Sequence, residues 1–359
     1  MSKKIAIIGI QGLPSKYGGF ETLAEYLVDN LCEKYEITIF CSSKIYDKNI
    51  KTYKKSKLKY LPFNPNGIQS IIYDSVAILF SILKYDKLII LGSSGGIIMP
   101  LLRKYKSKII LNFGGLDWTR SKWSYIAKIY LKLSEKYSVN NSGIVISDNK
   151  CIQDYIKQKY NIESILIEYG GDHAKKLNIH SGDENKYPFL NHKYALNVAR
   201  IQSDNNVEII IQAFIECDNN NLVVIGNWNS SDYGIGLRNK YKNYKNIYLI
   251  DAIYKQSELD RIRSNCYVYV HGHSAGGTNP ALVEAMSLSL PIIAYSSGFN
   301  ESTTEDQALY YKNKNDLISI INNIDVELLK ENSIKMYKIA KRRYMWDVIV
   351  SKYEECLNN

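Results

Sequence analysis

Hydrophobic and polar positions along the chain fall into two series of short apolar runs separated by helical periodicity. The first run, Lys4-Ile-Ala-Ile-Ile-Gly-Ile10, shows no alternation and ends in a stretch bearing glycine and proline, the pattern of a strand buried on both faces of a parallel sheet. Similar runs recur at 36–41, 87–91, 108–112 and 143–147, with helical stretches at 20–34, 68–83, 121–140 and 149–160. This alternation predicts a doubly wound α/β sheet. Across 172–193 it lapses into polar and turn-forming residues, which marks a domain boundary. A second series follows, with strands at 194–198, 222–225, 247–250 and 266–271 and helices at 206–216 and 257–265. The same architecture is thus expected twice. The last segment, 325–357, reads as helical without a further strand.

Length agrees with two domains, since 359 residues exceed one ordinary core. With 45% hydrophobic and 23% charged residues, disorder, collagen-like repeats and coiled-coil rods are poor fits. The six cysteines form no CxxC pair and no metal-spaced cluster, which argues against a zinc site or a disulfide framework and points to a reducing cytoplasm. The apolar run at 5–10 is too short for a signal-peptide core or a membrane span. The stretch 68–83 is also too short and polar to span; it reads as a core helix or as one docking on a membrane surface.

Charge changes the picture more. The net charge of +10 divides into +12 for residues 1–180 and −2 for 181–359. A basic first half is drawn to a polyanion: nucleic acid, an acidic lipid surface or a phosphorylated substrate. Biased coding, with 30 tyrosines and many lysines, is the plainer alternative. No nucleic-acid-binding motif accompanies the basicity, so a nucleic-acid partner is not expected.

Two loops carry candidate chemistry. The turn after the first strand lacks both the GxGxxG and the GK[ST] spacing, but its Gly18-Gly19 pair at a helix start allows backbone N–H groups to face an anion. The loop His271-Gly-His-Ser-Ala-Gly-Gly277-Thr278-Asn279-Pro280 ends in a good N-cap followed by a good first helical residue, and makes a second anion cradle. Glu284, one turn into that helix, is a carboxylate that can accept hydrogen bonds from a ribose diol; an ordinary surface glutamate is the plainer alternative, but its apolar neighbours suggest a largely buried helix, where an unpaired charge is costly.

The segment ending Glu284-Ala-Met286, followed by Leu-Pro-Ile-Ile-Ala and Ser-Ser-Gly, resembles the nucleotide-sugar site of the family-4 retaining glycosyltransferases of GT-B architecture. Lys16-Tyr-Gly-Gly-Phe-Glu-Thr22, Gly114-Gly-Leu-Asp-Trp-Thr-Arg-Ser-Lys-Trp123, Tyr169-Gly-Gly-Asp172, Ala199-Arg-Ile-Gln-Ser-Asp-Asn-Asn206 and Gly276-Gly-Thr-Asn-Pro280 are similar to motifs of bacterial rhamnosyltransferases that build capsule, O-antigen and cell-wall polysaccharides. The resemblance covers nearly the whole chain. It implies two Rossmann-like domains facing across a cleft: 1–175 for the acceptor, 176–335 for the sugar nucleotide, and a terminal helix, 336–359, packing back across both.

The resemblance further implies dTDP-L-rhamnose as donor, a polyprenyl-diphosphate-linked saccharide as acceptor, and peripheral association with the inner face of the cell membrane. Arg200 then grips the diphosphate, with Gly18, Gly19, Gly277, Thr278, Asn279 and Glu284 completing the donor site. Lys16, Tyr17, Glu21, Asp117, Trp118 and Arg120 face the acceptor, and Asp117 joins Arg200 and Glu284 as candidate catalytic groups. Two departures stand out. A lysine common in the family about five residues after Arg200 is replaced by Asn205 and Asn206, and the first acid of the family's Glu pair falls on Gly276, with Ser274 at a related position. No Asp-x-Asp motif is present, so no metal cofactor is expected. A UDP- or GDP-hexose donor, or a non-catalytic sugar-nucleotide-binding homologue, is the alternative.

Overall fold

The computed structural model of the chain describes residues 2–16, 18–119 and 123–359. Two compact units emerge, Met1–Glu168 with Asp347–Asn359, and Tyr169–Trp346.

In the first unit, strands β1 (Lys4–Ile8), β2 (Glu36–Ser42), β3 (Thr52–Tyr53), β4 (Ser56–Leu61), β5 (Lys87–Leu91), β6 (Ile109–Asn112), β7 (Ile144–Ser147) and β8 (Ile165–Leu166) lie in the order β3-β4-β2-β1-β5-β6-β7-β8. Only the β3–β4 pair is antiparallel. Ile5, Ala6, Ile7 and Ile8 of the central β1 are fully buried, as its unbroken apolar run requires. Helix α1 (Gly19–Leu31) joins β1 to β2, one way along the sheet. The others run the opposite way: α2 (Gln69–Ser81) to β5, a 3-10 segment (Gly96–Lys108) to β6, α3 (Tyr125–Asn140) to β7 and α4 (Lys150–Tyr160) to β8. Right-handed crossovers therefore put α1 on one face of the sheet and the rest together on the other.

The second unit begins with the short α5 (Asp183–Lys186) and has six parallel strands, β9 (Tyr194–Val198), β10 (Asn221–Gly226), β11 (Ile247–Asp251), β12 (Val268–His271), β13 (Ile292–Tyr295) and β14 (Leu309–Tyr311), ordered β11-β10-β9-β12-β13-β14. Helices α6 (Val207–Glu216), α7 (Asp232–Tyr241), α8 (Gln256–Ser264), α9 (Pro280–Ser287) and α10 (Phe299–Thr304) connect them, and α11 (Lys314–Asn323) and α12 (Val326–Arg343) follow. Ile210, Phe214, Leu222, Val224, Trp228 and Val270 fill the space between sheet and helices.

The expected architecture of two parallel, doubly wound sheets is present. Two details differ from the pattern-based expectation, one in the strands and one in the last helical stretch. Strands β3, β4, β8, β13 and β14 lie outside the predicted runs. In β4, Ser56-Lys-Leu-Lys-Tyr-Leu61 alternates buried and exposed residues, so it carries no continuous apolar signal. The helical stretch 325–357 is two helices, α12 and α13 (Trp346–Asn358), separated at Tyr344 and Met345. In the first unit's last segment Tyr353 is fully buried and its hydroxyl accepts from Asn112 Nδ2 at 2.6 Å, while Lys34 pairs with Glu354 at 2.9 Å. In the stretch 68–83, Tyr73, Ala77 and Ile78 of α2 face the core, as a core helix requires, and Ile72, Leu79 and Phe80 face outward. Among the described residues no helix is long and apolar enough to cross a membrane.

Candidate functional site

In the second unit the chain leaves β9 toward β10 and β11, then returns to the other side of β9 as β12. Strand order reverses there, and open α/β sheets leave a ligand crevice outside the carboxyl ends of the strands at such a point. Arg200 lies two residues beyond β9 and is exposed; the loop 272–279 follows β12.

The two loops are stitched together. Asn206 Nδ2 donates to the Gly272 carbonyl at 2.9 Å, Asn205 Nδ2 to the Arg200 carbonyl at 2.8 Å, and Asn205 Oδ1 pairs with His273 Nδ1 at 2.7 Å. A Cβ on Gly272 would stand 2.1 Å from the Asn205 carbonyl, so only glycine permits this approach. Asn205 and Asn206, at the place where the resemblance implied a lysine, thus hold the loops in register. Ser274 is equally committed, its N–H and hydroxyl both donating to the Asp204 carbonyl, at 2.8 and 2.9 Å. Gly276 has a φ of 117°, a conformation in which an acidic side chain would be strained, so neither position offers the missing acid. Beyond the loop Asn279 caps α9, accepting from the Ala281 N–H at 3.0 Å, and Pro280 takes the first helical place. Gly277, buried Thr278 and Asn279 therefore lead into the N-terminus of α9, the positive end of the helix dipole, which favours an anion.

Glu284 is 8% exposed, which demands partners. One carboxylate oxygen pairs with a guanidinium nitrogen of Arg263 and the other lies 3.1 Å from His173 Nε2. The Trp346 indole N–H, which can only donate, reaches His173 Nδ1 at 3.0 Å; the Nε2 of a neutral His173 therefore bears the proton and donates to Glu284. Burial raises the Glu284 carboxyl, and Arg263 and His173 more than offset this, holding it below the ordinary carboxylate value. The result is a charged carboxylate with fixed orientation, whose oxygens retain acceptor capacity.

Tyr169-Gly-Gly-Asp172 builds the support for this group. A Cβ on Gly170 would meet the Trp346 ring at 2.4 Å and one on Gly171 the Val283 carbonyl at 2.5 Å, and Asp172 accepts the Trp346 N–H at 2.9 Å. His173 and Arg263 were not among the residues expected from sequence. The cost of burying Glu284 on an apolar helix signals that cations must exist, but not which ones.

Nearby, His271 ends β12 and is 3% exposed, with no hydrogen-bond partner for Nε2; burial, with His273 beside it, holds the imidazole down at about 3, so it is neutral. Among the described residues, no group of three or more His, Cys, Asp or Glu side chains could hold a metal ion.

The first unit has its own reversal, between β1 and β5. Here a Cβ on Gly9 would stand 2.1 Å from the Leu91 carbonyl. Gly18, with φ 119°, precedes α1, and Gly19 begins it. Glu21 is 7% exposed and accepts the Gln11 N–H at 3.0 Å, so it braces the loop around its own helix start. Lys16 lies 4.5 Å over the Tyr46 ring. Asp117 is exposed and opens a 3-10 turn, Asp117–Thr119. The Trp118 indole donates to buried Glu135 at 2.9 Å, and Lys132 sits 4.4 Å over its ring. Tyr17 and Arg120 lie outside the described residues. Lys16, Gly18, Gly19 and Glu21 thus follow β1 at this reversal, whereas Asp117 and Trp118 follow β6.

Comparison with known proteins now adds to this geometry. Residues 183–344 match the family described as glycosyl transferases group 1, and residues 2–172 match a domain of unknown function, DUF1972. None of the curated proteins matches the chain. Among solved structures it is similar to sucrose-phosphate synthase from Thermosynechococcus elongatus (16% identity, 98% of each chain, TM-score 0.80). It is also similar to Anabaena HepE in complex with UDP (13% identity, 100% of each chain, TM-score 0.75). A third is α,α-trehalose 6-phosphate synthase from Burkholderia multivorans (11% identity, 100% of this chain and 98% of that one, TM-score 0.74). Fold and family match together define the class: the chain is a glycosyltransferase of GT-B fold. The match to the group 1 glycosyl transferases takes in nearly all of the second unit.

Proposed function

We propose that the chain is a retaining rhamnosyltransferase that moves L-rhamnose from dTDP-L-rhamnose to a polyprenyl-diphosphate-linked saccharide, in the synthesis of capsule, O-antigen or cell-wall polysaccharide, at the inner face of the cell membrane. The observation that carries this reading is the strand reversal of the second unit, where Arg200, the 272–279 loop and the start of α9 gather beside an ionised, preoriented Glu284. Arg200 grips two phosphate oxygens of the donor. The amides of Gly277 and Thr278 and the capped helix start at Asn279 add to that grip, and Glu284 accepts from the donor's ribose or sugar hydroxyls. Charge stabilisation of the departing diphosphate is then the main catalytic contribution.

In the first unit Gly18 and Gly19 offer further amides to the donor, and Lys16, Tyr17, Glu21, Asp117, Trp118 and Arg120 serve the acceptor. For a retaining transfer of this kind the leaving phosphate takes the acceptor's proton on the same face, so no side chain is assigned as base. A second reading keeps the reaction and changes the donor to a UDP-hexose, in line with the UDP bound to HepE.

Thermal stability of the purified protein, without added metal, against dTDP-, UDP- and GDP-sugars and the free nucleotides tests both readings, because a ligand bound only by the folded state raises Tm. A selective rise with dTDP-rhamnose that vanishes in Arg200→Ala is expected. Selectivity for a UDP-sugar replaces the donor, and no rise with any of them removes the catalytic reading.

A further inference from the structure

We propose that the outer layer formed by α2, the 96–108 segment and α3 is a docking face for an anionic phospholipid surface. These elements share one face of the first sheet, and a pair of glycines locks them side by side. A Cβ on Gly95 would stand 2.9 Å from Asp74 Cβ of α2, and one on Gly96 would stand 2.1 Å from the Ser134 carbonyl of α3. Tyr130 and Ser134 of α3 also donate to the Ser94 and Ser93 carbonyls, both at 2.5 Å.

The layer turns large apolar side chains outward. Ile68 is 83% exposed, Leu83 70%, Leu101 80%, Tyr125 80% and Ile126 79%. Ile68, Ile72, Leu79 and Leu83 follow helical spacing along one stripe, opposite the buried stripe of Tyr73, Ala77 and Ile78. Exposed apolar side chains of this size, gathered on one layer, mark an interaction surface.

Charge decides the partner. The 96–108 segment carries four cations and α3 three, among them the exposed Lys104, Lys132 and Lys136. The three elements contain only two carboxylates, Asp74 and Glu135, and both are buried. A surface that is apolar and cationic with no exposed carboxylate suits the boundary between anionic headgroups and acyl chains: the apolar tips enter it while lysine stems reach back to phosphate. None of the three elements spans. The face rests on the membrane-side acceptor of the proposed function, but its test reads lipid and donor separately.

Full-length protein is sedimented with vesicles of phosphatidylcholine alone, or mixed with an equal part of phosphatidylglycerol, at low and at high salt. Binding is expected only to the mixed vesicles, weakening as salt rises. Leu101→Ser with Ile126→Ser should lower it roughly tenfold per side chain removed, and Lys104→Glu with Lys132→Glu should abolish the low-salt gain. Both pairs lie on the surface and should keep the Tm and the nucleotide-induced rise in Tm of the unsubstituted protein. Indifference of the unsubstituted protein to mixed vesicles, or equal binding by all three proteins, overturns the proposal. So does self-association in the absence of lipid that the serine variant abolishes, which would assign the face to a second copy of the chain. Loss of the nucleotide response with vesicle binding intact would instead sink the donor reading alone.

Discussion

The two units share a layout, and each buries a carboxylate, Asp74 in the first and Glu284 in the second, that it treats in the opposite way. Each reverses strand order beside its first strand, and each closes that reversal with a glycine against a carbonyl, Gly9 on Leu91 and Gly272 on Asn205. In the second unit the buried carboxylate of Glu284 has two cationic or donor partners and stays ionised. In the first unit Asp74 is equally buried, accepts only from the Ser94 hydroxyl and has an oxygen with no partner; burial pushes its carboxyl up to about 7. The difference teaches that burial alone does not set a carboxylate's state. At the site expected to hold a doubly charged diphosphate the carboxylate's charge is fixed in advance, whereas Asp74 is left close to neutral beneath a surface that carries cations.

Removing Arg263 should break the contrast most strongly. Arg263→Ala leaves Glu284 buried with only His173 and should cost about 3–5 kcal/mol in the second unit, read as early loss of hydrogen-exchange protection in its peptides while those of β1 and β5 stay protected. Replacing the pair together, Arg263→Met with Glu284→Leu, should recover much of that stability without recovering donor binding. Next in size, Arg200→Ala should weaken donor affinity by about 1.5–3 kcal/mol, roughly tenfold to a hundredfold, with the ligand-free Tm unchanged because the side chain is exposed; calorimetric titration gives the first and a melt the second.

Acidity should push the two units in opposite directions. Asp74 has a folded value near 7 against an ordinary 3.8, so its contribution to stability is full below 3.8 and is lost as pH rises toward 7. Glu284 lies below its ordinary 4.5, so its contribution is present above that pH and is lost on acidification; His271, at about 3 against 6.5, likewise weakens the fold as pH falls from 6.5. Protection of unit-specific peptides, taken relative to intrinsic exchange at each pH, should therefore run in opposite directions between pH 4 and 7, and Asp74→Asn should reduce the first unit's change in stability over that range by about 1–2 kcal/mol. The smallest effect belongs to Trp118→Phe, which removes one of several donors to Glu135: about 1 kcal/mol from the first unit, with nucleotide binding unaltered.

The layout was legible in the sequence because β1, β5, β9 and β12 are short apolar runs buried on both faces, and such runs have no competing reading once helices alternate with them. β4 escaped because its lysines alternate with buried residues. At the site, the chemistry of a capped helix start at Asn279 and Pro280 could be read locally. The state of Glu284 could not, since His173 and Arg263 come from distant positions that only the folded chain brings together. Glu21 and Trp118 show the same limit: their residue types suit an acceptor site, and their side chains are engaged by Gln11 and Glu135.

The fold also carries a consequence for how the polypeptide is made. Its first unit is completed by a segment that follows the second, because Tyr353, which receives the buried Asn112 amide, lies in residues 347–359. On the ribosome the second unit is synthesised whole before the first can close, reversing the usual order in which domains mature as they emerge. A message cut short after residue 346 would yield an intact second unit and a first one with that amide still waiting for its acceptor.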